Sequence, residues 1–361
     1  MSFIDSTNRD ARLLANIDQG GYPRIRKMPA SDLLTYATNL SPAAYCQLFY
    51  VLAAAAVLAI AVAPESVQHL LTQYGARSSA AGTSTDKGGQ KASNGVLVGI
   101  ISWVTSVGKV PHSWFIHFYI VSLFCSIFWA VQFLRHGPIL EFIVKHQAPS
   151  EKMSMTIDQV FFAWLLMSLQ GARRLYECVA VLRPSPSKMW IVHWLLGIGF
   201  YFCINISVWV EGSSRYHEAV LFHSLLTSNH VGSIQFSDRR SFHVEVPSFN
   251  VIFGGFMFLA SWFMQHRCHR YLSRLKKYSL PGDGLFRYLV CPHYTCECGL
   301  YLSLALVAAP KDQLYNRTLI CALLFVGANL GVTANGTKKW YGEKFGVEKV
   351  QGKWCMIPGV F

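Results

Sequence analysis

Residues 280–306 read LPGDGLFRYLVCPHYTCECGLYLSLAL, a strongly apolar run that contains His293, Tyr294 and Glu297. An ionisable side chain inside an apolar segment costs free energy unless it is partnered or used. His293 and Glu297 are four residues apart and lie on one face of a helix, with Tyr294 beside them. The stretch predicts a membrane-embedded helix with a functional site, although His293 and Glu297 could also simply hydrogen-bond each other between packed helices.

The composition of the whole chain indicates a membrane protein. Hydrophobic residues make up 52% of the 361 residues and charged residues only 14%, whereas soluble domains carry about 25% charged residues. The net charge of +13 comes from basic clusters beside apolar segments, which is typical of cytosolic loops rather than of nucleic-acid binding. We expect no nucleic-acid partner. We also expect no metal site, because the cysteines near His293 lack a second matching pair of ligands.

Apolar segments of membrane-spanning length recur along the chain. A helix needs about 20 mainly apolar residues to cross a bilayer, and this length predicts an all-α polytopic bundle of about seven transmembrane helices. The segments are 42–63, 113–134, 157–182, 189–210, 248–266, 286–308 and 318–335. The intervening stretch 65–112 contains a Gly- and Ser-rich part and is predicted to be a flexible linker.

Basic residues cluster after the fifth and after the seventh predicted spans, in 267–277 and 338–353. The positive-inside rule assigns such clusters to the cytosol. Two spans separate the clusters, so both of them and the C-terminus are predicted to face the cytosol.

The third predicted span carries charged residues at helical spacing. Arg173 and Arg174 lie four and three residues before Glu177, so all three are neighbours on the helix surface. One interpretation is that the arginines extend to the cytosolic headgroups with Glu177 as their partner. The interpretation that we favour is a site lining a polar cavity, because two arginines and an acid inside a span are costly otherwise.

Two histidines, His266 and His269, lie at the cytosolic end of the fifth span among arginines. The default expectation is a solvated basic face. The same cluster would also suit an anionic cofactor, because arginine pairs with phosphate oxygens through two parallel hydrogen bonds. The chain contains no glycine-rich nucleotide-binding motif, so helix ends and basic loops would have to hold a nucleotide.

Several motifs taken together carry a family resemblance. They are LQGARRLYE at 169–177, the basic segment 265–277, LPGDGLFRYLVCPHYTCE at 280–297, KKWYGEKFG at 338–346 and IPGVF at 357–361. With them the chain resembles the steroid 5α-reductase family, in particular the branch that reduces polyprenols in dolichol synthesis. Residues 1–150 match only in hydropathy.

The resemblance implies a seven-helix enzyme of the endoplasmic reticulum membrane that saturates a carbon–carbon double bond with NADPH. Hydropathy divides the first part of the chain into a polar segment 1–40 and a transmembrane region 41–150, and the resemblance implies a reductase region 151–361 with the cofactor site. Catalytic roles would fall to His293, Tyr294 and Glu297. Cofactor contacts would fall to Arg173, Arg174, Arg274, Lys276, Tyr278, Asp283, His293, Glu297, Lys338 and Tyr341. Relatives often have histidine where this chain has Lys338.

The chemistry of hydride addition decides between the two substrates, polyprenol and polyprenal, that the resemblance allows. Hydride adds readily to a double bond only when a conjugated carbonyl can take the charge as an enolate, which needs hydrogen-bond donors at that oxygen. The immediate substrate is therefore predicted to be polyprenal rather than polyprenol, with Tyr294, His293 or His117 as the donor.

Alternatives to polyprenal reduction stay open at this point. Steroid reduction is disfavoured, because the span 113–134 has no acid and Gly171 stands where steroid-reducing relatives have tyrosine. A trans-2-enoyl-CoA reductase is the nearest rival, and a transporter or receptor is the non-enzyme alternative. The expected partner is a long-chain isoprenoid lipid, and no protein partner is expected.

Overall fold

The computed structural model describes residues 40–63, 108–147, 155–182, 187–210, 247–276 and 279–361. The described residues from Ser41 onward belong to one compact unit. The α-helices and strands in the described residues are α1 Pro42–Ala61, β1 Lys109–Pro111, α2 Ile116–Leu134, α3 Pro138–His146, α4 Ile157–Tyr176, β2 Lys188–Trp190, α5 Ile191–Val210, α6 Phe249–Arg274, α7 Pro292–Val307 and α8 Arg317–Phe345. A π-helix, Glu177–Val181, continues α4, and short 3-10 helices cover His112–Phe115, Gly284–Arg287 and Val347–Lys349.

The predicted helical membrane fold is confirmed, and each of the seven predicted segments overlaps one of the long helices. Four helical segments are long and apolar enough to cross a membrane by length and composition, namely Pro42–Ala61, His112–Leu134, Ile191–Val210 and Arg317–Phe345. The remaining three, α4, α6 and α7, do not meet that test. The number of spans therefore stays a prediction.

The sixth predicted span begins later than its hydropathy suggests. Helix α7 starts at Pro292 rather than at 286, and a proline suits the first helical turn because it has no N–H to leave unpaired. The residues before it pair with the C-terminal segment instead: Val290 N–H donates to the Trp354 carbonyl at 2.9 Å and Cys291 N–H to the Cys355 carbonyl at 3.0 Å. These tertiary hydrogen bonds keep the residues before Pro292 out of the helix, although their side chains are apolar.

A small two-stranded ladder departs from the all-helical expectation. Strands β1 and β2 pair antiparallel, with Lys109 opposite Trp190 and Pro111 opposite Lys188. The ladder joins the segments that lead into α2 and α5. Most of the predicted linker 65–112 lies outside the described residues.

Close helix packing surrounds the region where the polar residues gather. Helix α6 packs along α7 at Gly254, where an added Cβ would lie 3.0 Å from the Ser303 carbonyl oxygen. Helix α1 lies beside the start of α8, and the amide of Gln47 donates to the Thr318 hydroxyl at 2.8 Å. Asn316 caps α8 by accepting from Leu319 N–H at 3.0 Å and is fully buried. The core thereby fixes α4, α6, α7 and α8 against one another.

Candidate active site

A fully buried carboxylate, Glu177, lies at the end of α4 and bridges to α6. Its Oε1 accepts from Arg173 Nη1 at 2.8 Å and contacts His266 Nδ1 at 2.7 Å. Its Oε2 accepts from Arg174 Nη1 and contacts His269 Nδ1 at 2.7 Å. The predicted neighbourhood of the two arginines and Glu177 is confirmed. The cluster meets the general requirement that a buried charge be paired and hydrogen-bonded.

The histidines correct one sequence expectation. A solvated basic face was the default prediction for His266 and His269, but both contact Glu177, and His269 is buried. The reason is tertiary: both side chains lie on the face of α6 that meets the end of α4, where the acceptor is located. The change from α-helix to π-helix at Glu177 is a feature found often at functional sites.

A second carboxylate, Glu297 on α7, has a different environment. Its Oε2 accepts from the amide nitrogen of Gln265, and Gln170 Nε2 lies 3.4 Å from the same oxygen. Gln265 also accepts from Arg173 and donates to the His293 carbonyl at 3.2 Å. The amide of Gln265 therefore connects the charged cluster on α4 to α7. No cation lies within ion-pair distance of Glu297 in the described part of the chain.

A cavity of about 200 Å³ opens beside this network. Its polar lining includes Tyr119, Arg174, His269, His293, Tyr294 and Glu297, and its remaining walls are largely aromatic and aliphatic side chains of α2, α5, α7 and α8. Ligand pockets for drug-sized molecules measure about 300–1,000 Å³. The cavity fits reacting groups rather than a whole dinucleotide.

Tyr119 on α2 is the cavity residue that sequence reasoning missed. Its hydroxyl oxygen accepts from Arg174 Nε at 3.0 Å and from Arg174 Nη2 at 2.6 Å, and the guanidinium carbon of Arg174 lies 4.8 Å from the centre of the ring. Both hydrogen bonds use the oxygen as acceptor. Within the described residues the hydroxyl hydrogen has no such acceptor, and it is available to a ligand in the cavity.

His293 presents a second unused polar atom. Its Nδ1 is buried and has no hydrogen-bond partner among the described residues. The expected alternative, a His293–Glu297 hydrogen bond, is absent there, because the Glu297 carboxylate bonds to glutamine amides instead. The ring of Tyr294 lies 4.2 Å from that of His293, measured between centroids. Such an atom calls for an explanation, and a catalytic role or a bound water or ion are among those known.

The C-terminal segment closes over the start of α7 through two lysines. Lys338 Nζ donates to the Lys353 carbonyl at 2.6 Å, and Lys353 Nζ donates to the carbonyls of Phe286 at 2.8 Å and Pro281 at 3.1 Å. Burial lowers the pKa of Lys353, and burial raises the pKa of the nearby Cys355 thiol. We call residues 281–291 with 350–361 the C-terminal clasp.

Comparison with known proteins shows which family the chain belongs to. Residues 216–361 match the family described as 3-oxo-5-alpha-steroid 4-dehydrogenase. A polyprenal reductase of Saccharomyces cerevisiae is 30% identical over 65% of this chain and 69% of its own length. The chain belongs to the steroid 5α-reductase family. Proteins named polyprenal reductase in Xenopus tropicalis and Arabidopsis thaliana are 28% and 27% identical, over 70% and 65% of this chain and 80% and 77% of their own lengths.

As a member of the steroid 5α-reductase family, the protein is an oxidoreductase that acts on a carbon–carbon double bond. Members of this family typically use a nicotinamide cofactor. The transporter or receptor alternative is therefore wrong.

The structure brings some of the predicted site residues together and separates others. His293, Tyr294, Glu297 and Arg174 line one cavity, and Arg173 reaches it through Gln265. The other predicted residues lie elsewhere. Arg274, Lys276 and Asp283 are exposed, Lys338 donates to the Lys353 carbonyl of the C-terminal clasp, Tyr341 packs against a small apolar cluster, and Tyr278 lies outside the described residues. His117, a predicted oxyanion donor, contacts Trp114 and Trp194 rather than lining the cavity.

Proposed function

We propose that this enzyme reduces the α-isoprene double bond of polyprenal to dolichal, with NADPH as cofactor, in the endoplasmic reticulum membrane. Dolichal would then supply dolichol for protein N-glycosylation. The names of the relatives support polyprenal as substrate. The observation that carries the proposal is the Tyr119–Arg174 pair at the cavity.

The reaction requires an electron sink at the carbonyl oxygen. NADPH, when bound, would supply a hydride for the β-carbon of the enal, and the electron pair of the double bond would move toward the aldehyde oxygen. Protonation of the α-carbon, with water as the ultimate source of the proton, would re-form the carbonyl and complete the reduction. An allylic alcohol has no oxygen that can take this charge, so polyprenol is a poor substrate for the same step.

Tyr119 has the geometry to stabilise that oxygen. The Arg174 guanidinium occupies the acceptor side of the Tyr119 oxygen at 2.6 and 3.0 Å, which leaves the O–H to donate to an aldehyde oxygen in the cavity. The positive charge of Arg174 strengthens this donor as negative charge develops. A fixed donor at such an oxygen accelerates reactions by about 100- to 1,000-fold.

His293 and Glu297 suit the amide end of a nicotinamide group. A carboxamide needs both an acceptor for its N–H groups and a donor for its oxygen. The Glu297 carboxylate would accept from the N–H groups of the carboxamide, and the Nδ1 of His293, which has no partner among the described residues, would donate to its oxygen. Tyr294 beside His293 would orient the ring of that histidine.

The remaining cofactor would have to extend beyond the small cavity. The exposed basic residues at the end of α6, Arg274 and Lys276, are the proposed partners of the phosphate groups, and Asp283 in the following loop is proposed to contact the same half. Arg173, Lys338 and Tyr341 would act at a distance by holding the helices and the clasp in place. These roles follow the family resemblance and the positions of the residues.

One experiment tests the substrate and the cofactor together. Detergent-purified protein is given NADPH or NADH with polyprenal, polyprenol, a 3-keto-4-ene steroid or a trans-2-enoyl-CoA, and oxidation of the cofactor and the product are measured. We expect consumption of NADPH with polyprenal and a product saturated in its α-isoprene unit. Activity confined to the steroid or the enoyl-CoA would overturn the substrate assignment, and a preference for NADH would overturn the cofactor.

A further inference from the structure

A second, larger space lies on the flank of the bundle between α1, α7 and α8. Its volume is about 950 Å³, and we call it the α1–α7–α8 groove. Aliphatic side chains form much of its wall, including Val57, Leu58, Leu302, Leu323 and Leu324. Leu58, Leu302 and Leu324 are 51%, 38% and 56% exposed. This part of the groove is therefore apolar and open at the surface of the described helices.

The groove adjoins the reactive cavity. His193 on α5 and Asn329 on α8 line both spaces, so these two side chains form the partition between them. The polar end of the groove, near Asn335 and Lys339, lies farther along α8. The aliphatic end, near Leu323, lies on the other side of Asn329.

We propose that the α1–α7–α8 groove binds the isoprenoid tail of the substrate while its aldehyde lies in the cavity. The tail runs from His193 and Asn329 toward Leu302, Leu323 and Leu324. This inference rests on the proposed function, because it needs a substrate with a reactive head and a long apolar tail. From Asn329 to Leu323 the proposed path runs about 9 Å along α8, at 1.5 Å per residue.

The groove would contribute alignment more than affinity. Lipid tails are as apolar as leucine, so moving an isoprenoid from bilayer to groove gains little hydrophobic free energy. A fixed path does place the first isoprene unit against Tyr119, and correct placement of reacting groups is itself a large part of catalysis. The groove is therefore expected to affect long-chain substrates, whereas short enals diffuse into the cavity without it.

Gly327 on α8 offers a direct test, because it lines the groove and a Cβ added there meets nothing within 4 Å. Gly327→Phe would extend a ring into the groove without a backbone clash. The matched control is Ala59→Phe, which adds the same ring to an exposed position of α1 that does not line the groove. kcat/KM is measured with NADPH for a long-chain polyprenal and for citral, an enal of two isoprene units.

We expect Gly327→Phe to lower kcat/KM for the long-chain polyprenal by about 10- to 100-fold, the range for altered fit in an apolar pocket, with citral and the Ala59→Phe control unchanged. The milder Gly327→Leu should give a smaller loss of the same kind. The groove assignment would be overturned if the ratio of kcat/KM for long-chain polyprenal to kcat/KM for citral stayed at its wild-type value. It would also be overturned if Gly327→Phe and Gly327→Leu each lowered kcat/KM equally for the two substrates. Wild-type protein that reduces neither enal would instead refute the proposed function.

Discussion

Two carboxylates in one helical bundle, Glu177 and Glu297, have opposite surroundings. Glu177 is fully buried and receives two guanidinium groups and two imidazoles. Glu297 receives neutral glutamine amides and lines the cavity. Gln265 lies between them and contacts both Arg173 and Glu297.

This difference indicates that the Glu177 carboxylate stabilises the fold, whereas the Glu297 carboxylate remains available to a ligand. The hydrogen-bonding capacity of Glu177 is used by α4 and α6, so its contribution is to hold those helices together. Glu297 has no cationic partner within the described helices, and its charge can respond to a bound molecule. Spacing alone makes the pairs Arg173–Glu177 and His293–Glu297 look alike, because both are four residues apart on a helix.

The largest expected effect is on stability, in Glu177→Gln. This substitution leaves Arg173 and Arg174 buried without their counter-charge, and breaking a buried ion pair costs about 3–5 kcal/mol. We expect a large drop in melting temperature of the detergent-purified protein. Glu343→Gln, at an exposed position of α8, is the control and should melt like wild type. Equal melting temperatures for both variants would show that the Glu177 cluster does not hold the fold.

Tyr119→Phe comes next and should affect catalysis rather than folding. The variant keeps the buried ring and removes the donor, so kcat for polyprenal should fall by about 100- to 1,000-fold. Tyr50→Phe is the control, because Tyr50 is also buried but bonds to Ser207 away from the cavity. A KM increase with kcat unchanged would argue against a role in the transition state.

Glu297→Gln should give a smaller loss of activity with little loss of stability. Hydrogen bonds to charged groups contribute about 1.5–3 kcal/mol, which corresponds to roughly 10- to 150-fold in kcat/KM. Steady-state kinetics and NADPH titration by fluorescence measure the effect, with Glu343→Gln again as the control. If the variant melts as low as Glu177→Gln, the contrast between the two carboxylates fails.

The smallest expected effect is in Lys353→Met. The substitution removes the hydrogen bonds to the carbonyls of Pro281 and Phe286, and a typical hydrogen bond contributes about 0.5–1.5 kcal/mol. Faster cleavage of the C-terminal clasp by a protease should reveal the loss, while both carboxylate clusters stay intact. Lys349→Met, at an exposed position, should be cleaved at the wild-type rate. Cleavage of Lys353→Met at the wild-type rate would show that the clasp does not depend on this lysine.

Local periodicity was enough to predict part of the site. Hydropathy located the long helices, and helical spacing placed Arg173 and Arg174 against Glu177. The same spacing placed His293 and Glu297 on one cavity wall. These relations lie within single helices, so they depend on nothing beyond the 3.6-residue turn.

Relations between helices could not be predicted in this way. His266 and His269 face inward because α6 lies beside the end of α4, a contact that neither segment encodes alone. Tyr119 and Gln265 are neutral, and a neutral polar residue in an apolar segment gives no sequence signal of a functional site. Both nevertheless contact the charged residues in the structure. The late start of α7 likewise depends on pairing with residues distant in sequence.

That late start has a further consequence for the membrane. Helix α7 has 16 residues and rises about 24 Å, which is less than the hydrocarbon thickness of about 30 Å. If α7 spans the membrane as predicted, thinning of the bilayer would accommodate this mismatch, and any non-helical backbone at membrane depth would require internal partners. The clasp pairs Val290 and Cys291 with Trp354 and Cys355. With the proposed substrate and cofactor, this arrangement would recess the cavity below the membrane surface, where an isoprenoid in the bilayer and a water-soluble cofactor could meet.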